Sequence, residues 1–135
     1  MSYDPKATSN RDWAKIHLNM SFVVLVSLAV LLLARFGAIE DGYGAIGVTF
    51  TVLSLMVMFL SRKADEYTLS LWSAAANAGF MAAVCWTLFA PFLEGFFDGL
   101  LARERGMEWP SDVGIYFAIA VFLIAFNWKR LRGSA

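Results

Sequence analysis

The sequence predicts an all-α fold: a polytopic membrane protein with four transmembrane helices and one short interfacial helix between helices 3 and 4. Three observations predict it. Hydrophobic residues make up 59% of the 135 positions, against roughly 45–50% in soluble domains. Charged residues amount to 16% and are gathered between long apolar runs. Four of those runs approach the ~20 apolar residues that an α-helix needs to cross a hydrocarbon core. The length bounds a single domain, read as 1–132, with Gly133-Ser134-Ala135 read as the linker of a purification tag.

The first helix is expected over 16–36. The stretch before it, 1–14, is polar, and Asp4, Asp12 and Trp13 stand where the apolar core of a signal peptide would begin. Trp13, Lys15 and His17 mark a membrane interface, where indole rings and snorkelling lysines are favoured. Between Phe22 and Ala34 only Ser27 is polar. The turn at 37–42 carries Glu40 and Asp41 and is short enough to join antiparallel neighbours. The second helix follows over 43–61. Its Gly47 and Thr51 are four apart and share a face that suits close approach by a neighbour. Arg62 and Lys63 end it.

The third helix, 65–93, is expected to be the centre of packing. Asp65 and Glu66 suit its first turn, where the positive end of the helix dipole favours carboxylates. Ala75, Gly79 and Ala83 form a stripe of small residues that lets helix backbones approach in lipid. Pro91 cannot donate its backbone hydrogen bond and is expected to kink the chain. Beyond it, Phe92, Leu93, Phe96, Phe97, Leu100 and Leu101 recur at helical spacing, with Glu94 and Asp98 on another face. That pattern predicts a segment lying along the membrane surface. A polar connector, 103–112, contains Gly106, Trp109 and Pro110, and leads to the fourth helix over 113–128.

Eight of the 11 lysines and arginines fall in 1–15, 62–63 and 129–132, leaving Arg35, Arg103 and Arg105 for the opposite side. The positive-inside rule then predicts that both termini are cytoplasmic. Net charge is zero, so no basic field invites nucleic acid. The single cysteine, Cys85, excludes an intrachain disulfide and is expected to be buried and inert. The single histidine, His17, excludes a histidine-rich metal site within one chain and is read as an interface residue.

Asn77, near the middle of the third helix, is the main candidate for a site. An amide in lipid must find partners. It reads either as a ligand contact or as glue between helices or subunits, and glue is the expectation. Asp65 and Glu66 point about 100° apart on a helix, so a cap and dipole role is expected rather than paired acid–base chemistry. Glu94, Asp98, Glu104, Glu108 and Asp112 read as solvated loop charges. Tyr67, Trp72, Trp86 and Trp109 read as interface anchors and packing groups. No phosphate loop, zinc motif or nucleophile–base pair is apparent in the sequence. Nor is there an ionisable group at depth, where proton-coupled carriers and membrane enzymes keep theirs.

The run Asp65-Glu66-Tyr67, followed by Leu71, Ala75, Gly79 and Phe80, is similar to a pattern in small uncharacterised bacterial four-helix inner-membrane proteins with a D-E-Y motif before helix 3. The segment Phe92-Leu93-Glu94-Gly95-Phe96 and the pair Trp109-Pro110 resemble that group too, whereas Thr68 and Leu69 depart from it. The resemblance covers about half of the chain. It implies the four-helix fold and a bacterial inner (plasma) membrane, and no reaction. Small multidrug carriers have this size, but their glutamate within helix 1 has no counterpart at 20–34. The glycine-rich segment with a buried arginine found in fluoride channels is also missing.

The sequence therefore points to a non-enzymatic interaction, accessory or regulatory subunit that needs no cofactor. Its expected partners are the lipid bilayer and further copies of itself or a larger membrane complex. The alternative is a small oligomeric channel or transporter whose pathway lies at the subunit interface, lined by Asn77, Thr49, Thr51 and Ser73.

Overall fold

The structure, a computed structural model, describes residues 5–101 and 113–133. They form four helices: α1 (Pro5–Arg35), α2 (Asp41–Ser61), α3 (Glu66–Leu101) and α4 (Val113–Gly133). Each contains a stretch long and apolar enough to cross a membrane: Asp12–Arg35, Asp41–Ser61, Glu66–Phe96 and Val113–Gly133. α1 begins earlier than the hydropathy suggested. Pro5 sits at its first position, where a missing N–H costs nothing, and no glycine or proline interrupts 6–35. Gly133 is the last residue of α4, packed near Tyr67, while Ser134 and Ala135 lie outside the described residues.

The ends of the helices follow local chemistry. α1 closes in a Schellman arrangement: the Ala38 N–H reaches the Leu33 carbonyl at 2.9 Å and the Gly37 N–H reaches that of Ala34 at 3.0 Å. Gly37 supplies the required left-handed backbone, with φ +71°. α3 opens with a reciprocal cap. The Thr68 N–H donates to Asp65 Oδ1 at 2.6 Å, and the Asp65 N–H donates to Thr68 Oγ1 at 3.3 Å. This is the capping box, with threonine in the place usually held by Glu or Gln.

The separate interfacial helix is not a distinct element. Residues 92–101 continue α3, which runs for 36 residues with Pro91 inside it. A proline costs one hydrogen bond, to the carbonyl four residues back, and bends a helix without having to end it. Glu104, Glu108 and Asp112, together with Trp109 and Pro110, fall outside the described residues.

The helices pair in sequence order. α1 packs along α2 and α3 along α4, while α1 makes thinner contacts with both α3 and α4. The packing centre is thus α1, rather than α3 as the small-residue stripe suggested. The buried positions repeat in steps of three and four. In α1 they include Ala14, His17, Ser21, Val24, Leu28 and Leu31, in α2 Gly47, Thr51, Ser54, Met58 and Ser61, and in α3 Thr68, Leu71, Ala75, Gly79 and Ala82. A mean step of 3.5 residues keeps one seam facing its neighbours, as in left-handed bundles. Many of these inner residues are small or hydroxylated, and Phe22, Phe50, Leu60, Phe80 and Ile124 point outward. In lipid no hydrophobic force drives large apolar groups inward, so close backbone approach and hydrogen bonding select the interior.

Candidate functional site

The residue that ties the four helices together is His17. Placed on the inner seam of α1, it is fully buried. Its Nδ1 lies 2.9 Å from Ser61 Oγ, at the end of α2. From α3, Trp72 approaches it with ring centres 6.2 Å apart and planes at 66°. From α4, Phe126 lies at 5.6 Å and 47°. Trp72 in turn meets Phe122 edge-on at 5.2 Å and Phe59 at 5.9 Å, so the imidazole sits at the edge of an aromatic cluster.

The His17–Ser61 contact is one of several open to the serine. Ser61 Oγ also reaches carbonyls of its own helix, Val57 at 2.7 Å and Met58 at 3.3 Å. The ring tautomer sets which of the two side chains donates across the 2.9 Å contact. Nε2 is buried and without a hydrogen-bond partner among the described residues. The sequence showed no nucleophile–base pair; the fold brings a serine and a histidine that are far apart in the chain into contact. His17, read from sequence as an interface residue, is thus buried within the bundle at the end where α2 terminates.

A second polar link joins α1 and α2 at mid-depth. Thr51 Oγ1 donates to Ser27 Oγ at 3.0 Å, and Ser27 Oγ donates to the Val23 carbonyl at 2.8 Å. Both side chains are buried. One turn away, Gly47 seats on α1: a Cβ added there would lie 3.1 Å from both the Leu31 nitrogen and the Ser27 carbonyl oxygen. In the other pair, a Cβ on Gly79 would lie 3.1 Å from Phe122 Cβ and 3.2 Å from the Ala118 carbonyl oxygen. Ala75 is fully buried beside that crossing, whereas Ala83 is only half-buried. The buried row continues through Ala82, because a step of four, then three, follows the helix better than two steps of four.

The remaining candidates face outward. Asn77 is exposed on α3 and makes no side-chain hydrogen bond among the described residues. Thr49 and Ser73 are also exposed, and each hydroxyl is turned back onto its own helix, to Ala45 at 2.9 Å and Leu69 at 2.8 Å. Thr51 alone of the four pathway candidates is inside, so the fold does not bring them to one cavity. Cys85 is exposed, which corrects its expected burial. Among the described residues, no group of three or more His, Cys, Asp or Glu side chains is placed to hold a metal ion.

No family model matches the chain, and no curated protein or solved structure is significantly similar to it.

The polar groups that matter most to this architecture were those hardest to find from sequence. His17, Ser61 and Trp72 lie far apart in the chain, and nothing local marks them as neighbours. The available signal was the seven-residue recurrence of Ala14, His17, Ser21, Val24, Leu28 and Leu31, which places His17 on the same seam as the apolar core.

Proposed function

We propose that this chain is a small integral protein of a bacterial inner membrane, a non-enzymatic interaction or accessory subunit that assembles as a homo-oligomer. The observation that carries the reading is Asn77: an amide without a hydrogen-bond partner among the described residues, on the exposed face of α3, midway along a helix long and apolar enough to cross a membrane. An amide left in hydrocarbon is costly, and a second copy meets the need directly. Asparagine both donates and accepts, so two copies related by a twofold axis along the membrane normal satisfy each other reciprocally.

The bacterial membrane rests on the resemblance around Asp65-Glu66-Tyr67. Cytoplasmic termini rest on the gathering of Lys15, Arg62, Lys63, Lys129, Arg130 and Arg132 at one end of the antiparallel helices. The turns of α3 beyond Pro91 belong at the outer headgroup level. The apolar window Glu66–Phe96 has 31 residues, about 46 Å of helix against a core of roughly 30 Å.

The test uses the native cysteine. Cys85 shares the outward side of α3 with Asn77, and a twofold axis beside Asn77 brings the two Cys85 residues near each other. A short bismaleimide added to membranes should give a covalent dimer in wild type. Asn77→Leu should keep its fold, weaken the oligomer by about 0.6–2 kcal/mol and reduce the cross-link. An Asn77→Leu protein that stays fully oligomeric would sink this reading. Solute flux through proteoliposomes that vanishes with the oligomer would instead favour the pathway at the subunit interface.

A further inference from the structure

Between α1 and α4, at the end where α4 terminates, lies an open cleft of about 470 Å³. Phe22 and Leu25 line one wall, and Leu123, Ile124, Asn127 and Arg130 line the other. The cleft exists because the two helix pairs are each sealed internally, by Gly47 and Gly79, while α1 and α4 meet only thinly. Arg130 is pinned at its mouth. Its Nη1 donates to the Leu18 carbonyl at 3.3 Å, and its guanidinium carbon lies 5.0 Å from the centre of the Phe22 ring.

We infer that this cleft binds one anionic phospholipid of the adjoining leaflet, an acyl chain lying along Phe22, Leu25 and Ile124 and the phosphate on Arg130. Charge complementarity carries the assignment. Arg130 is half-buried, and among the described residues no carboxylate pairs with it. A guanidinium has five N–H donors in a fork that matches phosphate oxygens, and among the described residues only Nη1 is engaged in a hydrogen bond. The dimensions agree. Leu123 to Arg130 spans about 10 Å of helix, within the ~15 Å depth of a single leaflet's hydrocarbon. Asn127 Nδ2 donates to the Leu123 carbonyl at 2.9 Å, which leaves its Oδ1 to accept from a headgroup hydroxyl.

The experiment is native mass spectrometry of the full chain in detergent, titrated with phosphatidylglycerol or phosphatidylcholine of matched acyl chains. Wild type should retain one phosphatidylglycerol with about tenfold preference, the scale of a charge-assisted hydrogen bond. Arg130→Gln should lose most of that preference, while Lys63→Gln, at the same end but outside the cleft, should keep it. Ile124→Trp fills the cleft with Arg130 intact and should lose the lipid itself, so it decides the matter if Arg130→Gln does not fold. Unchanged preference in Arg130→Gln, undiminished lipid on Ile124→Trp, or displacement by millimolar inorganic phosphate would each overturn the proposal. So would a lipid-free dimer with the cleft occupied by a second copy.

Discussion

His17 and Ser61 show how much one buried contact asks of its two ends. Ser61→Ala removes the hydroxyl that faces imidazole Nδ1, and a buried polar group left unpaired costs about 1–3 kcal/mol. His17→Leu keeps most of the volume and removes the ring nitrogens altogether. The combined variant His17→Leu/Ser61→Ala is therefore expected to melt higher than Ser61→Ala alone, in the same detergent. A double mutant that melts lower than either single one would show that the contact is not what holds His17 in place. None of this was legible near His17 itself. Next to Trp13 and Lys15 it looks like a headgroup-level residue, and its burial depends on Ser61, Trp72 and Phe126 arriving from three other helices. Cys85 was misread for the opposite reason: apolar neighbours in sequence imply burial in water, but in lipid they also describe the outer face.

At two glycines a helix meets its neighbour's backbone directly, and at a third nothing comes near. Gly47→Leu and Gly79→Leu each drive a branched side chain into a neighbouring backbone and should separate α1 from α2, or α3 from α4. A Cβ on Gly95 meets nothing within 4 Å. Gly95→Ala should therefore raise helix stability by up to ~1 kcal/mol from propensity alone. Thermal melting monitored by circular dichroism separates the three, and a Gly95→Ala loss as large as that of Gly79→Leu would contradict this account. The pairing of Gly47 with Thr51 and the cap at Asp65 were readable, because both depend on residues within one helical turn or two. The continuation of α3 past Pro91 was not, since whether a proline bends or ends a helix is decided by what surrounds it rather than by its own ring.

For the whole molecule, the four helices long and apolar enough to cross a membrane were legible from the spacing of charges between apolar runs, a property of the chain as a string. The same string predicts sidedness. Reporter fusions after Lys63 and Arg132 should report the cytoplasm and one after Gly106 the outer side, and a cytoplasmic signal at Gly106 would undo the assignment of both termini. What the string could not give was the choice of neighbour, because lipid rewards fit rather than hydropathy.

The pairing of α1 with α2 and of α3 with α4 also sets an order in time. Each pair joins helices adjacent along the chain, so the contacts that seal it close only short loops. Such local contacts form early, and the N-terminal half leaves the ribosome first. The seat of Gly47 on α1 can thus be complete while α3 is still being made. The aromatic contacts of His17 must wait for Phe126, so α4 finishes a socket that α1 opened.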